Sequence, residues 1–161
     1  MVVIAILGIL MAIASGSWSA VRGDKQVDAA AEKLRSAMVA ARMKALATGQ
    51  NQYIGVDLTN ELIATTAYGA NNANTYNVGT GWGAATLWEA VENVDLQESS
   101  AAGVPSSPQP ATITFIFKSN NAMTKTGTTW SVLVQSKDAA VPRKLVLTLT
   151  SITGRVQMKQ I

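Results

Sequence analysis

The chain has 161 residues, enough for one domain with an appendage, and 48% of them are hydrophobic while 14% are charged. It contains neither cysteine nor histidine, which excludes disulfide frameworks, Cys/His zinc sites, thiol nucleophiles and histidine-based catalytic triads. The net charge of +3 is unevenly spread: acidic residues predominate up to Ser100, whereas Asp138 is the single acidic residue after it. The C-terminal part therefore favours a polyanionic partner.

The chain opens with an uninterrupted apolar run over residues 1–14, MVVIAILGILMAIA. As a helix this run spans about 21 Å, less than the roughly 30 Å hydrocarbon core of a bilayer. Three interpretations are open: the apolar segment of a secretory signal, a buried core helix, or a membrane helix whose first residues precede Met1. We favour the third, because a signal would carry basic residues before the run and a core helix apolar on every face would need a larger protein around it.

An amphipathic helix is predicted over Val21–Ala47. Its apolar residues recur at spacings of three and four and predict one stripe packed on a core: Val27, Ala30, Ala31, Leu34, Met38, Ala41 and Ala45. Gly49 follows the last of them and suits a left-handed C-cap. If this helix continues the apolar run, it is about 70 Å long, and Gly16 is the position where it bends most easily.

Beyond Gly49 the apolar period falls to two, which predicts strands. A first hairpin joins Ile54–Leu58 to Glu61–Thr66, and a polar Gly/Asn-rich loop follows at Tyr68–Gly83, too polar for a core element. The later predicted elements are a short strand at Val94–Leu96, a surface linker at Ser99–Pro110, and strands at Ala111–Lys118, Thr128–Gln135, Lys144–Thr150 and 154–159. Helix first and strands afterwards predict an α+β domain, a meandering antiparallel sheet against the second half of the helix.

Three parts of the sequence resemble one family. Met1–Leu10, MVVIAILGIL, closely resembles the N-terminal signature of type IV pilins and type II secretion pseudopilins. Ala29–Gly49, particularly Leu34 and Ala40–Ala45, is similar to the helix of GspH/FimT-type minor pilins and pseudopilins, and Gly154-Arg155-Val156 is similar to that group's C-terminal Gly-Arg motif. The resemblance implies a pilin fold in three parts: a membrane and filament-core helix half at 1–20, an amphipathic half at 21–49 and a β-rich head at 50–161.

The resemblance also implies a structural role without enzyme activity or a cofactor. The subunit would sit in the inner membrane with its head in the periplasm, and would then enter a pilus or pseudopilus that reaches the cell surface. Its partners would be other pilin or pseudopilin subunits, the prepilin peptidase and the assembly platform; a major pilin is the alternative. The family's leader, cleavage-site glycine, methylated phenylalanine and following glutamate would lie upstream of Met1.

The first helix half would supply the packing surface of the membrane and the filament, through Val2, Val3, Ile4, Ile6, Leu7, Gly8, Leu10 and Ile13. Gly8 either permits close helix approach or is a tolerated small residue. Gly16 either permits local melting on assembly or is a surface glycine at the membrane exit. Trp18 either sits at the membrane interface or packs in the filament.

A candidate DNA-binding patch comprises Arg143, Lys144, Arg155 and Lys159, if the last two strands are adjacent. This patch resembles the Gly-Arg region of DNA-binding FimT-like minor pilins, which function in DNA uptake. Gln157 departs from that pattern, because those members tend to carry a second arginine there. The same cations would also protect a solvated edge strand from pairing with other sheets, and we favour that interpretation.

Enzymatic and metal sites are disfavoured by the remaining residues. The carboxylate pairs that could be considered for catalysis are Asp57 with Glu61 and Glu89 with Glu92, and the pair that could be considered for metal binding is Asp95 with Glu98. None has a basic partner at a catalytic spacing, and none matches an EF-hand or zinc pattern. We therefore predict no enzyme activity, no metal and no cofactor.

Overall fold

A computed structural model of the chain describes residues 2–67, 76–77, 81–83, 86–138 and 141–161, with the backbone alone for 2–20, 67 and 77. Within these ranges the chain forms a helix, α1 (Val2–Thr48), and then a series of strands. The strands are β1 (Gln52–Asp57), β2 (Leu62–Ala67), β3 (Tyr76–Asn77), β4 (Gly81–Trp82), β5 (Glu89–Ala90), β6 (Val94–Ser99), β7 (Thr112–Phe117), β8 (Met123–Lys125), β9 (Ser131–Ser136), β10 (Lys144–Leu149) and β11 (Val156–Gln160).

The second half of α1 packs on the strands as its periodicity predicts. All of the predicted stripe positions are at most 5% exposed: Val27, Ala30, Ala31, Leu34, Met38, Ala41 and Ala45. The helix ends where Gly49 takes a φ of +65°, which confirms the predicted C-cap. The Thr48 hydroxyl donates to the Lys44 carbonyl at 2.8 Å and thereby satisfies one of the last helical acceptors. α1 is continuous through Gly16, so the two predicted helix segments are one.

The first hairpin, of β1 and β2, forms as predicted. Its turn is held by the Asp57 carboxylate, which accepts hydrogen bonds from the backbone N–H groups of Thr59 at 2.9 Å and Asn60 at 3.0 Å. Burial alone raises the pKa of Asp57, but these hydrogen bonds and one from the Asn60 amide outweigh it, and the net pKa lies below its ordinary value. The charged form of Asp57 is therefore the form that stabilises the turn.

The strands form separate sheets, so the predicted single meander is wrong. The five-stranded sheet has the order β5-β2-β1-β7-β8, the four-stranded sheet has the order β11-β10-β9-β6, and β3 pairs with β4. The physical reason is visible in β1, where every residue from Gln52 to Val56 is buried. A strand covered on both faces lies inside a sheet, and β2 occupies only one of its edges, so β7 pairs along the other. The core lies between α1 and the inner faces of the two larger sheets.

The Gly/Asn-rich segment contributes to packing, contrary to the prediction that it is too polar for a core element. Residues 68–75 and 78–80 of it lie outside the described residues, but Tyr76 is 6% exposed and stacks on Tyr53 with a ring-centroid distance of 5.0 Å. Trp82 donates from its indole N–H to the Thr114 hydroxyl at 3.0 Å. A Cβ built on Gly55 would lie 2.5 Å from the Trp82 ring, so a glycine is needed there. These aromatic rings cover the outer face of the five-stranded sheet.

The segment predicted as a surface linker seals one edge of the four-stranded sheet. The Gln109 amide donates to the Glu98 carbonyl at 2.9 Å, and its oxygen accepts from the Glu98 N–H at 2.8 Å, so the side chain replaces a neighbouring strand. The backbone N–H of Ser106 also donates to the Glu98 carbonyl, at 2.8 Å. Gly103 passes so close to Val146 and Ile161 that a Cβ there would collide with Ile161. The segment is on the surface, as predicted, but it has a structural role.

Candidate functional site

The candidate site is the hairpin of β10 and β11 together with the flank of α1 that packs against it. The hairpin turn closes where the Gly154 N–H donates to the Thr150 carbonyl at 2.7 Å and the Thr150 N–H donates to the Arg155 carbonyl at 2.9 Å. Gly154 has a φ of +60°, and a Cβ on it would lie 3.3 Å from the Arg42 side chain. The glycine of the Gly-Arg-Val sequence is therefore required by backbone conformation and by close packing.

Arg143 is held by the helix. Its Nε donates to the Asp28 carboxylate at 2.7 Å, and a terminal guanidinium nitrogen donates to the Gln160 side-chain oxygen at 3.3 Å. The arginine thus ties α1 to both strands of the hairpin. Because its charge already faces a carboxylate, Arg143 contributes little to a positive surface.

Lys144 and Lys159 are brought to the same face of the hairpin. Lys159 lies directly opposite Val146, and Lys144 is two residues before Val146 on β10, so all three side chains project from the face turned away from α1. A diagonal pair of this kind is separated by about 7–8 Å. Both lysines are exposed. This half of the predicted patch is therefore formed.

Arg155 lies at the opposite end of the hairpin. It precedes β11 and is four residues from Lys159, which places it about 13 Å away along the strand. Alternation puts its side chain on the same face as Lys159, and it is exposed. Of the four predicted cations, the structure thus groups Lys144 with Lys159, keeps Arg155 at a distance and pairs Arg143 with Asp28.

A further cation, Arg42, belongs to the site and was missed by the sequence analysis. Its guanidinium Nε donates to the Asn121 side-chain oxygen at 3.1 Å, and its stem packs against Gly154. The signal was present in the spacing, because Asp28, Arg35 and Arg42 recur every seven residues and so lie along one flank of a helix. Asp28 faces the hairpin at one end of that flank, and Arg42 faces it at the other.

Three of the four carboxylates considered for catalysis have structural partners. The Glu61 carboxylate lies 2.9 Å from the Lys137 ammonium, and Glu89 lies 3.0 Å from Lys33. Asp57 caps the β1–β2 turn. These three carboxylates thus take part in local structure, whereas the fourth, Glu92, is exposed.

Asp95 and Glu98, considered for metal binding, project from opposite faces of β6. Glu98 is fully buried and accepts from the N–H groups of Thr128 and Thr129, each at 2.6 Å. Burial lowers the pKa of the nearby Lys125, although the Glu98 carboxylate acts in the other direction. Among the residues with described side chains, no three acidic groups come together as a metal site would require.

The predicted packing residues of the first helix half, Val2 to Ile13 with Gly8, and the interface residue Trp18 lie outside the described side chains. Their roles, and the melting of α1 at Gly16, stay predictions. Among the described residues, no helix segment is both apolar enough and long enough to span a bilayer.

Comparison with known proteins identifies a fold. No protein-family model and no curated protein sequence matches the chain. Among solved structures, the fold is similar to that of the minor pseudopilin EpsH from the type 2 secretion system of Vibrio cholerae, with a TM-score of 0.55 and 12% sequence identity, over 84% of this chain and 97% of that one. At this identity the similarity shows the fold alone. The α+β architecture that the resemblance implied, a long N-terminal helix packed on antiparallel sheets, is thereby confirmed.

Proposed function

We propose that this chain is a structural subunit of a pilin-like filament, a GspH/FimT-type minor pilin of a type IV pilus or pseudopilin of a type II secretion system. The observation that carries the proposal is a pilin-type fold combined with an apolar helix start: the fold is similar to a minor pseudopilin over 84% of the chain, and residues 1–14 contain no polar side chain. An apolar helix half of this kind needs partners beyond the core of its own domain. A filament subunit uses one to join its neighbours.

Before assembly, residues 1–20 lie in the inner membrane and the head, residues 50–161, lies in the periplasm. A helix suits this position because its backbone groups are all satisfied within the segment. On assembly the apolar surface exchanges lipid for sister helices, and a heterologous contact that does not close extends the filament. The packing residues would be Val2, Val3, Ile4, Ile6, Leu7, Gly8, Leu10 and Ile13.

A charge in the apolar run tests the anchor. Ile6→Asp should cost about 2.5–3.5 kcal/mol in a membrane-embedded helix and should remove the chain from membranes and from sheared filaments. Ile6→Leu is the matched control and should behave as the wild type. Wild-type recovery of Ile6→Asp in both fractions would refute the proposal.

Abundance separates a minor subunit from the alternative, a major pilin. Filaments sheared from cells should contain this chain as a small fraction of their protein, measured by quantitative mass spectrometry. Filaments built mainly of this chain would favour the major pilin. A chain retained in the envelope beside secretion components, with no surface filament, would favour the pseudopilus.

DNA binding is a second candidate activity, favoured by the exposed cations on one face of the hairpin: Lys144, Lys159 and Arg155. Three phosphate contacts would give a weak, sequence-independent affinity that falls with log salt at a slope of about −3. We expect Arg155→Ala with Lys159→Ala to lose most binding of a labelled duplex by the full chain in detergent. Lys25→Ala with Lys44→Ala removes the same charge from exposed helix positions and is the control. Equal binding by all three proteins would exclude the patch.

A further inference from the structure

The two edges of the four-stranded sheet are treated differently. On one edge, Gln109 and Ser106 hydrogen-bond to the backbone of Glu98 in β6. On the other edge, no strand or side chain of the described residues covers β11 in this way. An uncovered edge exposes a row of backbone donors and acceptors to any extended segment that fits.

The register shows which groups of β11 face outward. Ile161 donates to the Lys144 carbonyl at 3.2 Å, and Thr150 donates to the Arg155 carbonyl at 2.9 Å, so these two pairs are of the hydrogen-bonded kind. Hydrogen-bonded pairs alternate along an antiparallel ladder. The intervening residues of β11, which are Val156, Met158 and Gln160, therefore direct their N–H and C=O groups away from β10.

The helix runs alongside this edge. It is fixed at one end by Arg143, which binds both Asp28 and Gln160, and at the other by Arg42 against Gly154. From Asp28 to Arg42 the helix rises about 21 Å, and from Gln160 back to Gly154 the strand covers about 20 Å. The two elements thus run side by side over the whole length of β11, and the strip of surface between them is called the groove.

One wall of the groove is an apolar stripe of α1 that the head leaves uncovered. Val39 and Leu46 are each 44% exposed, and they lie three residues before and four residues after Arg42, so they share its side of the helix. On the strand side, Met158 pairs with the core residue Leu147, so its side chain projects from the face of β11 that is turned toward α1, and it is 38% exposed. Apolar side chains of an added strand would therefore meet apolar side chains here.

Charge decides which partner fits. On this flank of α1, the carboxylates of Asp28 and Glu32 each face an arginine, so they add no net negative charge. The Arg42 guanidinium donates to the neutral Asn121 side chain, and none of the described ion pairs involves Arg42, Arg155 or Lys159. A second copy of this chain would bring the same cations against them, which is unfavourable. An acidic segment would be attracted.

We propose that the β11 edge and the α1 stripe of Val39 and Leu46 form a docking groove for an extended segment of another protein that alternates apolar and acidic residues. The segment adds a strand to β11 by bonding to the outward groups of Val156, Met158 and Gln160. Its apolar side chains lie on Met158 and the stripe, and its acidic side chains face Lys159 and Arg155. This role goes beyond that of a filament subunit and does not depend on it.

Amide exchange measured by NMR tests the proposal directly, with the full chain in detergent micelles. The probe is a peptide about eight residues long that alternates valine and glutamate. Binding should slow exchange at Val156, Met158 and Gln160 while leaving Gln157 and Lys159, whose amides already face β10, unchanged. A valine–lysine peptide of the same length should not bind.

A pair of substitutions at one position separates strand addition from simple charge attraction. Met158→Pro removes an outward N–H without touching the β10 ladder and should weaken peptide binding about tenfold. Met158→Ala keeps the N–H and should retain the alternating protection. Unchanged β10 amide signals show that each variant is folded. The proposal would be overturned in favour of a polyanion site if the peptide bound without alternating protection and an oligonucleotide of equal charge bound with the same affinity. It would be overturned outright if the peptide did not bind at millimolar concentration.

Discussion

The buried Glu98 carboxylate should be one of the strongest single links in the head. It lies on β6 of the four-stranded sheet and accepts the N–H groups of Thr128 and Thr129, each at 2.6 Å, and the Thr128 hydroxyl at 2.9 Å. These threonines belong to the connection from β8, in the five-stranded sheet, to β9. The carboxylate therefore holds the two sheets together at this end of the head.

Two substitutions at Glu98 should differ in cost. In Glu98→Gln the amide oxygen can still accept both N–H groups and the hydroxyl can turn to accept from the amide, so only the charge assistance is lost, about 2 kcal/mol. In Glu98→Ala both N–H groups lose their acceptor and a cavity remains, which should cost about 4 kcal/mol. Denaturant unfolding of the full chain in detergent measures both costs.

The control for Glu98 is Glu92→Gln, because Glu92 is exposed and its substitution should change the free energy of unfolding by less than about 0.5 kcal/mol. The reasoning is refuted if Glu98→Ala costs under about 1 kcal/mol, or if Glu98→Gln costs as much as Glu98→Ala. Equal costs would mean that the carboxylate acts through its charge and that its hydrogen-bond geometry is irrelevant.

Three further predictions concern the turns and the aromatic cover. Gly55→Val should displace Trp82 from the outer face of the five-stranded sheet, cost about 1–3 kcal/mol and shift tryptophan fluorescence to the red. Gly154→Ala should cost about 1–3 kcal/mol in the free energy of unfolding, because an alanine is strained at a φ of +60° and its Cβ presses on Arg42. Asparagine tolerates this φ better, so Gly154→Asn should suffer less backbone strain, but its Cβ makes the same close contact with Arg42. Because the pKa of Asp57 is lowered in the folded protein, its charge stabilises the fold above the unfolded pKa, about 3.9, and this stabilisation is lost as pH falls through the folded pKa. The difference in melting temperature between the wild type and Asp57→Asn should therefore disappear in acid.

The sequence predicted the helix well because its signal is local. A stripe at spacings of three and four, such as Leu34, Met38 and Ala41, has one physical explanation in a domain of this size, which is packing on a core. A glycine after the stripe ends the helix by its backbone freedom, and Gly49 does so. Neither inference needs knowledge of distant contacts.

Sheet order could not be predicted in the same way, since it depends on pairings between distant segments. The pairing of β1 with β7 becomes evident only when both faces of Gln52–Val56 are seen to be buried. The aromatic cover was missed for a related reason. Tyr76 and Trp82 are separated by five residues without strand periodicity, two of them glycines, and nothing local shows that Gly55 opens a space for Trp82.

The cations of the hairpin show which part of their placement a strand pattern contains. Alternation along a strand puts Lys159 and Arg155 on one face, and the adjacency of the last two strands brings Lys144 near Lys159. The same alternation sends Arg143, one residue from Lys144, to the other face, but it could not show that Arg143 meets Asp28 there. That pairing depends on the position of the helix, which the strand pattern does not contain.

Edge protection and partner docking at β11 are compatible, since the same cations serve both. A lysine or arginine on an edge strand prevents pairing with a like-charged copy by repulsion, and it does not occupy the backbone groups of that edge. At β6, by contrast, the Gln109 amide occupies the backbone groups themselves and closes that edge to any strand. A chain that needed both edges inert could have sealed both in the second way. The use of charge alone at β11 leaves a selective edge, closed to sister hairpins and open to an acidic strand.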